Sequence, residues 1–150
     1  MKIPYYRQRY VYTCGPAVMR MALGALGIKR TEDQLARLLN TGTRVGTPNR
    51  RFPRVLERFK LSYTVHRRAK FSQLVRHFRN NDIIIVCYFY EPEKVGHFAV
   101  VKDISKTRIM LLDPIVGPDM SYRQIDFHRM WKKTGTFDNE KGWFIAIHKK

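Results

Sequence analysis

The run IIIVCYFY at residues 83–90 is the longest uninterrupted apolar stretch in the chain, and it limits what the chain can fold into. Eight residues fall far short of the ~20 that a membrane-spanning helix requires. Their β-branched and aromatic content reads as a buried strand. Three further strands are expected after it, at residues 97–104, 108–113 and 143–148. Before it the pattern is helical. Residues 17–26 carry only one charge, Arg20, so that helix is expected to be buried nearly all round, with Gly27 ending it. Thr31 and Gln34 form a capping-box pair opening a second helix through Leu38 and Leu39. A third is expected over residues 48–60, with Pro53 obscuring its start. Residues 61–66 alternate as a short strand, 71–79 read as a helix, and Ser121 is expected to cap a helix running to about Trp131. Helices come first and strands later. The expected fold is therefore α+β, a single domain over residues 1–150 with an N-terminal helical part set on a C-terminal antiparallel sheet.

The amino terminus, MKIPYYRQRY, has no apolar core of the kind a secretion signal needs, and a cytoplasmic location is the expectation. Charge is the abnormal feature, with 29 basic against 12 acidic residues and a net +17. Residues 44–79 hold eleven of the basic residues and one acid, Glu57, so eleven minus one gives +10 in that segment. Such a field attracts nucleic acid, an anionic membrane or an acidic protein, and polyanion binding through 44–79 is one expectation. The other is a solvated basic surface, favoured slightly because the arginines are scattered among apolar residues.

Two cysteines are too few for a disulfide framework. Cys87 lies inside the apolar run, where a small buried hydrophobe is the natural reading. Cys14 precedes Gly15 and Pro16 at a helix start. There the unpaired N–H groups and the positive end of the helix dipole favour thiolate, the nucleophilic form, although simple packing would also explain its place. Gln8, six residues earlier, offers a side-chain amide that could hold an oxyanion together with the Cys14 backbone N–H. His97 opens the strand HFAVV. The other four histidines, His66, His77, His128 and His148, sit in charged or amphipathic settings without evident partners. If the turn after this strand is centred on Ser105, His97 lies directly across from Asp113, with Cβ atoms about 4.5–5.5 Å apart. Asp103, six residues along the same strand, would be roughly 20 Å away.

The segments QRYVYTCGPA, GHFAVV and LLDP, with His97 and Asp113 sixteen positions apart, resemble the cysteine, histidine and aspartate motifs of C39-type peptidases. The resemblance runs over most of the chain. It implies a papain-like fold, with Cys14 as nucleophile, His97 as base and acid, Asp113 as the orienting carboxylate and Gln8 as oxyanion donor. Its members are known for removing double-glycine leader peptides from bacteriocin precursors. Thr13 departs from the pattern, since many members carry an acid before the cysteine. Many are also fused to a membrane transporter, and this chain shows no transmembrane run, so it resembles the stand-alone C39-like proteins.

The resemblance implies peptide or protein substrates, cleavage through a thioester acyl-enzyme, and no cofactor. The cysteine and histidine spacings do not resemble a zinc site. Another acyl transfer on the same scaffold, such as deamidation or transglutamination, is a second reading, and a non-enzymatic anion- or peptide-binding module a third. The contrast between the two cysteines is directly testable. Iodoacetamide at neutral pH is expected to alkylate Cys14 much faster than Cys87 in the native protein, read by peptide mapping; equal or inverted labelling would remove Cys14 from the nucleophile's role.

Overall fold

The computed structural model describes residues 2–133 and 140–149. Eleven elements follow in chain order: α1 Cys14–Ala25, α2 Glu32–Leu38, α3 Arg51–Arg58, β1 Tyr63–His66, α4 Phe71–Arg79, β2 Ile83–Tyr90, β3 Val95–Ile104, β4 Arg108–Asp113, β5 Gly117–Arg123, α5 Gln124–Lys132 and β6 Phe144–Ile147. The six strands make one sheet in the order β1-β6-β2-β3-β4-β5, every adjacent pair antiparallel. The α+β architecture expected from helices first and strands later is present.

The apolar run is continuous because β2 is central and covered on both sides. Ile83, Ile85 and Cys87 face a core shared with Val18, Met19, Met21 and Leu23 of α1, Leu35 of α2, and Phe52, Val55 and Leu56 of α3. Ile84, Val86 and Tyr88 face a second core built with Leu74 of α4 and with Phe127 and Trp131 of α5. A central strand covered on one side only would alternate apolar and polar residues.

The local signals explain most helix boundaries. Pro16 lies in the first turn of α1, where no helical hydrogen bond is lost. Gly27, at φ +80°, takes the left-handed conformation just beyond that helix. The capping box of α2 closes as expected, with Gln34 N donating to Thr31 Oγ1 at 3.1 Å and Thr31 N to Gln34 Oε1 at 2.9 Å. Pro53 also falls in a first turn, so α3 starts at Arg51, later than expected.

Two expectations are corrected. Ser121 caps no helix. It lies in β5, pairs with Met110 and accepts from Arg108 Nε at 2.8 Å, and α5 begins at Gln124. The strand went unseen because GPDMSYR is polar and forms the sheet's edge, where proline is tolerated and no apolar alternation is demanded. The β3–β4 register is also displaced. Val100 pairs with Leu112 and Val101 with Leu111, a bulge follows, and the turn closes at Ser105–Arg108 rather than being centred on Ser105. Extended to the strand ends, that register sets His97 opposite position 115, two residues beyond Asp113. An even offset preserves side-chain parity, so Asp113 stays on the same face as a diagonal neighbour of His97.

The basic segment divides. Ten of its eleven basic residues are exposed, all but Arg51. However, α3 covers one face of the sheet and α4 the other, so the +10 does not gather into one patch. No helix among the described residues is long and apolar enough to cross a membrane.

The start of α1 is held against the loop before α3. Gly42 and Gly46 exchange backbone hydrogen bonds of 2.9 Å, and Thr41 Oγ1 and Thr47 Oγ1 lie 2.7 Å apart. A Cβ at Gly15 would sit 2.3 Å from Thr47 Oγ1 and 2.6 Å from Thr47 Cβ. Gly15→Ala is therefore expected to destabilise the fold by about 1–3 kcal/mol, measured by urea denaturation. Adding Thr47→Gly should recover stability and Thr47→Ala should not, because the Thr47 Cβ is itself in the way.

Candidate active site

Three of the four sequence-predicted site residues come together where α1 begins and β3 starts. Cys14 is the first residue of α1, so its N–H belongs to the turn that has no intrahelical partners. The preceding loop is tied by Thr13 Oγ1, which accepts from Tyr10 N at 3.0 Å and donates to Tyr10 O at 2.9 Å. The buried Glu32 accepts from Arg9 N at 3.1 Å. His97 is 2% exposed and Asp113 0%. His97 Nε2 lies 3.0 Å from Asp113 Oδ1, leaving Nδ1 to meet Cys14, with which the ring also hydrogen-bonds.

Asp113 is satisfied from every side. Oδ1 also accepts Ile115 N at 2.8 Å and Val116 N at 3.0 Å, and Oδ2 accepts the Tyr88 hydroxyl. Tyr88 lies directly across β2–β3 from His97, and its hydroxyl interacts in turn with Tyr122. Sequence reasoning missed Tyr88, which sits inside the apolar run and reads there as core. Only its position opposite His97 in the register could have singled it out. Tyr5 was missed too; its hydroxyl donates to the Asp113 carbonyl at 2.6 Å. With Gln8 N donating to Pro114 O at 3.0 Å and the Arg7 guanidinium to Ile115 O, it straps the N-terminal segment to the turn after β4.

Gln8 is placed differently from the other three. Its Nε2 donates to Tyr10 O at 2.7 Å and to Val11 O at 3.3 Å, while Oε1 is buried without a hydrogen-bond partner. The amide nitrogen is thus engaged by the loop carbonyls.

A cleft of about 170 Å³ opens over Cys14 and His97. One wall is the 42–46 loop with Arg44 and Val45. The other is the end of the β2–β3 hairpin with Tyr90, Glu93 and Val95. Cys87, expected as a buried hydrophobe, is 3% exposed and borders the cleft floor. Val11, Val45 and Val95 are exposed at the rim, 81%, 48% and 48% respectively, giving the mouth an apolar character.

Burial opposes a charged imidazole at His97, yet the Asp113 and Cys14 hydrogen bonds outweigh it and raise the ring to about 9 from its ordinary 6.5. Burial likewise opposes the Asp113 carboxylate, but bonding to His97, Tyr88 and Val116 holds it down at about 2 from 3.8. The arrangement sets an imidazole between a carboxylate and a cysteine sulfur, a geometry in which a thiol and a general acid can act as a pair.

The sequence model of the Peptidase C39 family matches residues 2–141. No curated protein sequence matches. Among solved structures, one similar fold is the peptidase domain of Streptococcus ComA, a bi-functional ABC transporter involved in a quorum sensing pathway. The identity is 16% and the TM-score 0.74, over 99% of this chain and 100% of that one. A double glycine motif protease from an AMS/PCAT transporter, in complex with the leader peptide, is 18% identical at TM-score 0.73, over 99% and 93%. A C39-like peptidase structure from Bacillus anthracis is 12% identical at TM-score 0.77, over 99% and 96%. At these identities the likeness concerns the fold, and the fold is that of C39 peptidase domains.

The raised His97 value contributes stability that is complete below about 6.5 and lost as pH rises through about 9. The depressed Asp113 value contributes stability that is complete above about 3.8 and lost as pH falls through about 2. An NMR titration of the imidazole nitrogens is expected to show His97 titrating near 9 in the parent protein and well below that in Asp113→Asn. A parent His97 titrating at or under 6.5 would exclude the held imidazolium.

Proposed function

This chain belongs to the C39 peptidase family, and on that footing we propose that it cleaves a peptide bond through a thioester acyl-enzyme on Cys14. The observation that carries the reading is the single line of contacts from the Cys14 sulfur through His97 to the fully buried Asp113. Cys14 attacks the carbonyl carbon, forming the C–S bond. His97 delivers its Nδ1 proton to the leaving amine, then takes a proton from the water that opens the thioester. Asp113 accepts the Nε2–H throughout, keeping the ring oriented and its charge balanced.

The oxyanion is assigned to the Cys14 N–H at the start of α1 and to Gln8. For Gln8 to serve, Nε2 gives up its 3.3 Å bond to Val11 O when a carbonyl oxygen arrives. The substrate is a peptide segment with apolar side chains near the scissile bond, because Val11, Val45 and Val95 line the mouth and bury area only against an apolar partner. One structural neighbour, the double glycine motif protease, is in complex with a leader peptide, and leader-peptide processing fits a substrate of this kind.

The test is mass spectrometry of a proteome-derived peptide pool, which separates cleavage from a deamidation mass gain of about one dalton. New termini flanked by apolar residues are expected. Cys14→Ala should reduce turnover by roughly 10⁴-fold or more. Asp113→Asn should retain more activity than Asp113→Ala, because the amide carbonyl can still accept from His97 while the Tyr88 hydroxyl turns to accept from the amide. An Asp113→Ala protein as active as the parent, with its fold confirmed by circular dichroism, would take Asp113 out of the mechanism.

A further inference from the structure

Three of the histidines that seemed partnerless in the sequence converge at the far end of the sheet. His66 ends β1, His77 lies in the last turn of α4 and His148 follows β6. The turn between α4 and β2, with Asn81 at φ 62°, folds Asp82 back so that its N–H donates to His77 O at 3.1 Å. Asp82 Oδ2 then lies 2.7 Å from His77 Nδ1, and Oδ1 lies 3.1 Å from His148 Nδ1. One donor atom from each of His77, Asp82 and His148 falls within 4.8 Å of the others. The carboxylate is nearly buried, its side chain 8% exposed, and His148 keeps one side open to solvent.

We propose that His77, Asp82 and His148 form a divalent transition-metal site, best matched to zinc, with water in the fourth position. Two imidazole nitrogens and one carboxylate oxygen are a zinc donor set. Zinc–ligand bonds of ~2.0–2.2 Å in tetrahedral array separate neighbouring donors by roughly 3.3 Å. His77 Nδ1 and His148 Nδ1 now contact different oxygens of Asp82, at 2.7 and 3.1 Å, so the carboxylate turns one oxygen between the two nitrogens and the three donors draw in from the 4.8 Å that now spans them.

The outer nitrogens are also prepared. Binding at both Nδ1 atoms requires the ring protons on Nε2; the Thr64 hydroxyl can accept from His148, and His66 can accept from His77 once its own proton moves to Nδ1, which gives up the 3.5 Å contact with Gln73 Nε2. His148 Nε2 lies 2.7 Å from Thr64 Oγ1, and His77 Nε2 lies 3.1 Å from His66 Nε2. Partners of this kind fix the tautomer and orientation of ligating histidines. His66 is held in turn by stacking on Phe144, at 4.8 Å between ring centroids and 22° between planes. The ion would tie α4, the turn before β2 and the segment after β6 together, on residues separate from those assigned to peptide cleavage.

The experiment is a zinc chloride titration of the full chain by calorimetry. It is done in Cys14→Ala, so that the active-site sulfur cannot bind the ion. One saturable site of one equivalent is expected, with a rise in Tm at excess zinc. Asp82→Asn and His148→Ala, both at the edge of the core, should each weaken binding by about tenfold or more and abolish the zinc-dependent rise in Tm. Cobalt(II) in place of zinc should give the intense visible absorption of a tetrahedral nitrogen–oxygen site in the Cys14→Ala protein and lose it when either Asp82→Asn or His148→Ala is added. An absence of saturable binding would leave only a hydrogen-bonded histidine network and overturn the proposal. Affinity unchanged in both variants would overturn it equally.

Discussion

A carboxylate taken fully out of water must be answered by donors on every side, and Asp113 is taken fully out of water. Removing one partner of such a buried pair typically costs about 3–5 kcal/mol. The surrounding fold meets that demand with four donors from three elements. His97 comes from β3, Tyr88 from β2, and the N–H groups of Ile115 and Val116 from the turn after β4. Tyr5 and Gln8 then bind the backbone of the same turn and carry the N-terminal segment past it to Cys14. The registry of three strands and the path of the first dozen residues thus converge on one charge. The same charge favours the protonated form of the His97 ring, so the electrostatics of the cleft and the architecture share a cause.

The sheet does a second job by separating two environments. Through the alternation of β2 and β6, one face carries the α1–α3 core with Cys14 and Cys87, and the other carries the α4–α5 core with Phe144, Ala146 and Tyr88. The cleft opens where α1 begins and β3 starts. The histidine cluster lies beside Phe144 at the β1–β6–β2 end.

Much of this was legible in the chain because it is encoded locally. The capping box at Thr31, the glycine after α1, the two-faced apolar run and the helix start at Cys14 each depend on residues within a few positions of one another. The pairing of His97 with Asp113 was legible for a looser reason. Side-chain parity survives an error of two residues in register, so a misplaced turn still put both on one face. Strand β5 was illegible because an edge strand facing solvent needs no apolar alternation, and a serine before a helical stretch looks like a cap.

Taken alone, the sequence determined the α+β class, the cysteine at a helix start, and the family to which those motifs point. Each follows from periodicity, capping chemistry or short spacing, all of which act along the chain. Only the tertiary structure decided which groups satisfy the buried charge. Tyr88 and Tyr5 reach Asp113 across 25 and 108 positions, and Asp82 and His148 meet across 66. The Gln8 amide, expected as an oxyanion donor, bonds here to the Tyr10 and Val11 carbonyls. No local pattern records such meetings, because they are set by burial. Once the apolar faces close, every polar group trapped between them takes whatever partner the packing brings within reach.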